Sequence, residues 1–550
     1  MDDDAVSDDS SLAGQPFGDE DAAAMGPERV LHGFVGFDAD PRVGGLGVTD
    51  ADARTLLFVG GRGSGRTTYL ERARLAASMS QGIHVLDGDN HNPPESRAIR
   101  DLCEAFPRGE AVKGWQMIWR AAILRSLTSH LLYDYALGLP LETDLAGRSV
   151  ADDFVAVLEP PGMGTPVRAP AGVYSQVTAI YETFRHSDPS LLARYLRLDD
   201  WEKLEGRIAE GLREYRPIGI YLDGLDREFR HAPMHWLTCE KALFYQVLHF
   251  NENQRLRDRL RIVASVRDLA YSMVRQGDSQ TKYPARGRIR SLDWSTHATR
   301  EFLREKIRRL SKDMMFRPEL AGDDRAVEGW LGTSSILNER RGQLEHLEDY
   351  LISHTLGGPR DIVVLGNDLS RQVAIAKLEE HPFVQAEVIR KIVEHRAQDI
   401  ARGRLSTAAA ELVALTPPDV LMSDRFNELA IADDSRYEAV AAFQAELAEK
   451  LEDILRKVGC VAFTREAFAE AFAEAAPEMD GADVLSALWR TGILGYVAST
   501  DAGPRPVFYS SGARDRLTLP DEANRLWLHR CMIDVADLEP PTEFYGPIYE

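Results

Sequence analysis

Leu56-Leu57-Phe58-Val59 running into Gly60-Gly61-Arg62-Gly63-Ser64-Gly65-Arg66-Thr67-Thr68 is the stretch that decides the fold. An apolar strand, a glycine-rich turn and a helix start follow one another, the layout of a phosphate-binding loop of pattern G-x-x-x-x-G-K-[ST]. Glycines let backbone N–H groups close around an anion, and the helix behind points its positive end at it. Gly60, Gly61, Arg62, Gly63, Ser64, Gly65, Arg66, Thr67 and Thr68 are therefore the candidate phosphate-binding residues. The Thr67 hydroxyl stands where a Mg²⁺ ligand belongs. One position departs from the pattern, because Arg66 takes the place of the lysine. Its planar guanidinium is not interchangeable with a point-charge ammonium, so ATP binding is expected and efficient hydrolysis is left open.

Three further segments carry chemistry. Ile218-Gly219-Ile220-Tyr221-Leu222-Asp223 is an apolar strand ending in a carboxylate, placed to hold Mg²⁺ beside the phosphates. The next position, where a carboxylate would orient an attacking water, is Gly224. Asp226 is the nearest carboxylate on that loop, either as the water-positioning residue or as a structural partner of Arg227 or Arg230. Arg261-Ile262-Val263-Ala264-Ser265-Val266-Arg267 is a strand beside the phosphate loop, and Arg267 at its end is a candidate γ-phosphate sensor or a partner of Asp268 or Asp223. In Leu356-Gly357-Gly358-Pro359-Arg360-Asp361 the chain breaks and a helix resumes with proline in its first turn, which puts Arg360 at a helix start. There it reaches the phosphates or pairs with Asp361.

The 550 residues suffice for about three domains. A net charge of −22 argues against a general nucleic-acid-coating surface. Much of the excess lies in Asp2-Asp3-Asp4, Asp8-Asp9 and Asp19-Glu20-Asp21, before the first basic residue, Arg29. Residues 1–28 are too poor in apolar side chains to fold, and are expected to form a disordered acidic tail or a partner-binding arm. No apolar run approaches the ~20 residues of a membrane span, so a cytoplasmic protein without a membrane partner is expected. Cys103, Cys239, Cys460 and Cys531 form no C-x-x-C pair and suit a reduced compartment.

Strand candidates Thr55–Val59, Ile83–Leu86, Ile218–Leu222, Arg261–Val266 and Arg288–Leu292 alternate with helical stretches, as a parallel α/β sheet requires. Residues 29–295 would be the sheet domain, with a helical insertion over about 100–215 containing helices Trp115–Tyr133 and Leu191–Tyr215 and a loop over Asp152–Pro170. Ile118, Ala122, Leu127 and Leu131 give the first of these helices an apolar face. Residues 296–434 would form a helical lid with a long helix around Phe383–Arg402. Residues 435–550 read as helices Tyr437–Val458, Phe463–Ala473 and Ala482–Thr491, then a hairpin of Ile493–Val497 and Pro506–Ser510, the order of a winged-helix-like α+β unit.

Other features carry less. Pro233 argues against His231 and His235 presenting a metal site on a helix. Trp294 reads as packing, and Arg304-Glu305-Lys306-Ile307-Arg308-Arg309 as a basic helix face, solvated or touching phosphate. Ala482–Thr491 offers Arg490 as its sole basic side chain and carries Asp483, which is poor for binding a DNA groove.

Taken together, FVGGRGSGRTT, IYLDGLDR, IVASVRDLAY and GGPRDIVVLGN resemble the bacterial P-loop ATPases of the STAND and KAP-like branch, related more distantly to AAA+ and origin-recognition ATPases. The resemblance implies a P-loop NTPase fold and an ATP-driven conformational switch in defence against phage or in stress signalling. It also implies self-assembly into a homo-oligomer, and with no second catalytic domain legible in the sequence a protein effector is expected to act in trans. By carry-over, Gly60, Gly65, Arg66, Thr67 and Thr68 would hold phosphates and Mg²⁺, Asp223 the metal, and Arg267 the sensing role. A non-hydrolysing nucleotide-binding scaffold and a DNA-binding regulator remain the alternatives.

Overall fold

The computed structural model describes residues 15–20, 25–26, 29–30, 34–35, 55–79, 83–86, 93–136, 170–197, 200–213, 217–225, 233–256, 259–277, 288–339, 342–415, 433–475, 481–500, 503–509, 518–533 and 535–539. Strands β1 (Leu57–Gly60), β2 (His84–Val85), β3 (Ile218–Leu222), β4 (Leu260–Arg267) and β5 (Ile289–Ser291) form one sheet in the order β2-β3-β4-β1-β5. Every pairing in it is parallel, with Leu57 opposite both Ala264 and Ile289. Parallel strands are joined by crossovers that cover both faces, which is why β1 and β3 are buried at every residue. The order sets β4 between β1 and β3, so the carboxyl ends of all three meet at one edge. This is an α/β architecture consistent with a P-loop NTPase fold, and the five expected strands are all in it.

Helix α1 (Arg66–Met79) leaves β1 through the glycine loop. Between β2 and β3 come α2 (Ser96–Glu104), α3 (Ala111–Ala136), α4 (Val173–Phe184), α5 (Pro189–Leu196) and α6 (Asp200–Leu212). The single helix expected over Leu191–Tyr215 is thus two, and Asp152–Pro170 lies outside the described residues except for Pro170. On α3 the expected face is buried, and so are Trp115, Trp119, Ile123 and Leu124. A helix apolar on every side belongs inside a bundle, and α3 packs on α4 and on α7 (Pro233–Glu252). Helix α8 (Asp268–Gly277) follows β4.

The next region contains α9 (Thr296–Arg308), α10 (Ala326–Leu331), α11 (Leu347–Ser353) and α12 (Pro359–Leu378) around Trp330. It was expected to be all helical, yet β6 (Ser335–Asn338) and β7 (Gln343–His346) form an antiparallel hairpin between α10 and α11. Gly342, at φ +61°, supplies the left-handed residue that such a turn favours. Helix α13 (Ala386–Leu415) is longer than expected. Its first turns lie in the Trp330 core, Ala397–Val413 in the C-terminal core, and Ala410 in the sheet core. Small side chains at Ala397, Ala401, Ala408 and Ala409 let neighbours approach it closely.

The C-terminal unit is α14 (Asp433–Val458), β8 (Ala462–Thr464), α15 (Arg465–Ala475), α16 (Gly481–Arg490), β9 (Leu494–Thr500), β10 (Gly503–Phe508) and β11 (Arg525–Leu528). The expected hairpin is there, with Gly503 opposite Thr500, inside a four-stranded sheet of order β10-β9-β11-β8. Phe463 was expected in a helix. It lies instead in β8, opposite Leu526, where strand alternation buries it.

The described part of residues 1–28 departs from the expected disorder. Phe17 is 1% exposed and stacks on Trp330 at 5.0 Å between ring centroids. Its N–H donates to Asn367 Oδ1 at 2.9 Å, and Asn367 Nδ2 donates to Gly18 O at 2.9 Å. Gly366 makes the slot, since a Cβ there would lie 2.3 Å from the Phe17 ring. One aromatic anchor outweighs the polar composition around it, because a buried Phe contributes roughly 1.5–3 kcal/mol.

Candidate nucleotide site

A cavity of about 410 Å³ opens at the carboxyl edge of the sheet, lined by Gly61–Thr68, Gly224, Arg267 and Arg360. Its floor follows from the glycines. A Cβ on Gly60 would lie 2.3 Å from Ser64 Oγ, so only glycine lets the loop fold back on the end of β1. Gly63 and Gly65 sit at φ +82° and +89°, a region other residues enter at a cost of about 1–2 kcal/mol. Helix α1 begins at Arg66, whose side chain lines the cavity together with Thr67 and Thr68. Ser64 Oγ is buried with no hydrogen-bond partner among the described residues. The cradle, the helix start and this hydroxyl fit a phosphate chain.

Two distant residues brace the loop. Trp294 Nε1 donates to Ser64 O at 2.9 Å, and the Arg360 N–H donates to Gly63 O at 3.4 Å. Trp294 therefore does more than pack. Arg360, at the start of α12, is brought to the cavity as its helix-start position required, and Asp361 Oδ2 accepts from the Leu356 N–H.

On the neighbouring strand end, Asp223 is 4% exposed and accepts a hydrogen bond from the Ser265 hydroxyl. The Tyr174 hydroxyl holds its carbonyl at 3.0 Å. Gly224, at φ +76°, then turns the chain into the cavity wall. Thr67 lines the cavity, whereas Asp223 is not among its lining residues. Asp226, with Arg227 and Arg230, lies outside the described residues.

Arg267 is 5% exposed at the end of β4, and its N–H donates to Glu240 Oε1 at 2.6 Å. Of its expected partners Asp268 and Asp223, neither supplies the ion pair found. That pair is with Glu411 of α13, at 3.6 Å from Nη2. Glu411 Oε2 in turn accepts from Arg490 Nε at 3.1 Å. Arg490 is thus a buried side chain and not the exposed base of a DNA-reading helix.

The apolar wall went unread in the sequence. Phe17, Met25, Val30, Phe34 and Val35 from the N-terminal segment line the cavity, with Phe302 of α9. Phe34 is fixed edge-on against Tyr69 of α1 at 4.8 Å, and Arg309 Nη1 donates to Phe34 O at 3.2 Å. The available signal was Phe17, the first aromatic of the chain, followed by an apolar cluster at Val30, Phe34 and Val35.

The basic run on α9 divides. Arg304 makes a two-pronged pair with Glu348 at 2.7 and 2.9 Å, and Arg308 and Arg309 pair with Glu305. Lys306 instead lines the cavity with its ammonium 5.5 Å from the Phe302 ring. Burial, with repulsion from Arg309, pushes its pKa down to about 8.

No model of a known protein family matches the chain, and no curated protein does. Among solved structures, the chain is similar to the ORC1 protein of Aeropyrum pernix in complex with DNA, at 13% identity, over 88% of this chain and 86% of that one, with a TM-score of 0.25. At that score the fold and the site rest on the geometry above. No helix among the described residues is long and apolar enough to cross a membrane.

Proposed function

We propose that the chain binds ATP with Mg²⁺ in the cavity over Gly61–Thr68 and is a slow ATPase acting as a conformational switch. The observation that carries this reading is the left-handed glycine cradle between β1 and α1, with Arg66, Arg267 and Arg360 converging on the same cavity. Backbone N–H groups and the start of α1 would hold the phosphates, and Arg66 would stand in for the lysine. Bound Mg²⁺ supplies charge neutralisation on the phosphates, with Thr67 and Asp223 as its protein donors. Arg267 and Arg360 would stabilise charge at the terminal phosphate, Asp226 is proposed to orient the water, and the apolar wall would seat the base. Residues 296–434 would then act as a lid and residues 435–550 as a winged-helix-like unit that docks protein in preference to DNA. Buried Arg490 and the acidic balance of the chain favour that use. The family resemblance supports a role in bacterial defence or signalling and a homo-oligomeric assembly, and an effector in trans and a cytoplasmic setting complete the proposal.

The non-hydrolysing scaffold is the second reading, favoured by Arg66 and by Gly224 where a carboxylate would activate water. Steady-state ATP turnover of the full chain beside Arg66→Lys and Asp223→Ala separates the two. Turnover in the native chain, abolished by Asp223→Ala, supports the switch. Binding without turnover, with hydrolysis gained in Arg66→Lys, supports the scaffold.

A further inference from the structure

One carboxylate links the cavity to the far end of the chain. Glu411 lies between Arg267 of β4 and Arg490 of α16, and the three side chains are 5%, 6% and 7% exposed respectively. The two halves of the bridge differ. At 3.1 Å the Arg490 contact is a hydrogen-bonded pair, whereas 3.6 Å to Arg267 is beyond hydrogen-bond length and leaves a looser ion pair. Thr407 and Ala410, on the same helix, line the nucleotide cavity, so Glu411 reaches Arg267 from the cavity wall itself. Tyr509, after β10, meets Trp489 of α16 edge-on at 5.8 Å.

We infer that Glu411 is a positioning residue for Arg267, and that by sharing its carboxylate with Arg490 it couples the terminal phosphate to docking of the C-terminal unit. The inference rests on the cavity being a nucleotide site. Its physical basis is competition. A γ-phosphate in the cavity is a competing anion for Arg267, and it draws the guanidinium from the looser side of the bridge. Glu411 is then left to Arg490 alone, which alters the electrostatic tie between α13 and α16. A diphosphate lacks that group and leaves the bridge as it stands. Linkage is reciprocal, so whatever the terminal phosphate does to the docking of α16, breaking that docking must do to the preference for triphosphate.

The test is the ratio of affinities for a non-hydrolysable Mg²⁺–ATP analogue and for Mg²⁺–ADP, measured by calorimetry on the full chain. The variants are Arg490→Gln, Arg490→Lys, Arg267→Gln and the double variant Arg267→Gln/Arg490→Gln. Arg490→Gln is expected to change the ratio by about fivefold or more although its side chain does not line the cavity, the lower end of ordinary coupling. Arg490→Lys, which keeps a cation beside Glu411, is expected to restore part of the native ratio. In the double variant the two effects are expected to be non-additive, because both cut one link. A native ratio in Arg490→Gln, or strict additivity in the double variant, would overturn the inference while leaving the nucleotide site standing. Should Arg490→Gln fail to fold, equal protease resistance of the C-terminal unit of the native chain with the ATP analogue and with ADP would overturn it as well. If the native chain binds neither nucleotide, the reading of the cavity falls first.

Discussion

The N-terminal residues and the C-terminal unit are held to the rest of the fold by opposite physical means. Near the N-terminus, the described residues hold on through Phe17 in the Trp330 slot and Phe34 against Tyr69, two aromatic plugs. The C-terminal unit has a core of its own, and meets the sheet domain through the buried Arg267–Glu411–Arg490 bridge. An aromatic plug is replaceable by any group of similar shape, and when lost it frees a local segment. A buried bridge tolerates little, because losing one member strands the others without compensation.

Glu411→Ala breaks this comparison most sharply. It leaves two buried guanidinium groups without their shared carboxylate and is expected to cost about 3–5 kcal/mol, read as an earlier transition in urea unfolding. Phe17→Ala would cost about 3–5 kcal/mol in a core that could not escape. Here the segment can undock, so the main transition is expected to move less than in Glu411→Ala, while amide exchange rises at residues 15–20. Equal shifts in the main transition for the two variants would erase the contrast.

Acid adds a third test at the C-terminal end. Burial, with Arg404 and Arg530 nearby, holds His529 down to about pKa 3. The unfolded ring takes up a proton near pH 6.5 and the folded ring does not, so the unfolded state binds more protons between those values. Stability is therefore expected to fall as pH drops from about 6.5 toward 3, by up to about 1.4 kcal/mol per pH unit from this group. His529→Gln is expected to flatten that part of a melting-temperature profile. The smallest expected effect is in the loop. Trp294→Phe keeps a ring but removes the donor to Ser64 O, which should cost about 1 kcal/mol and weaken ATP binding by several-fold in calorimetry.

Much of the sheet was legible because its signals are local. The glycine loop, the strand ending at Asp223 and the strand ending at Arg267 each announce themselves within a dozen residues, and the sheet order brings the ends of those strands together. Gly-Gly-Pro before Arg360 likewise placed that residue at a helix start, with reach to the phosphates or a pair with Asp361 left open. What escaped were pairings between residues hundreds of positions apart. Nothing in a sequence ties Arg267 to Glu411, or Trp294 to Ser64, until the fold is built. The hairpin of β6 and β7 and the strand at Phe463 escaped for another reason, since three or four residues are too few for a period to declare itself. Residues 15–20 were misjudged because composition averages over a stretch in which one phenylalanine decides.

The proposed switch depends on the cavity accepting a triphosphate, and thermal unfolding of the full native chain with and without MgATP measures that most directly. Binding to the folded state alone stabilises it by RT ln(1 + [L]/Kd), about 2.7 kcal/mol at a hundredfold excess over Kd. The expected result is a melting temperature that rises with MgATP concentration, and that rises less in Gly63→Ala, where an added Cβ meets Arg360 at 3.3 Å and the backbone is left-handed. No rise at millimolar MgATP, in the native chain and in Arg66→Lys alike, would overturn the nucleotide site and all that is built on it.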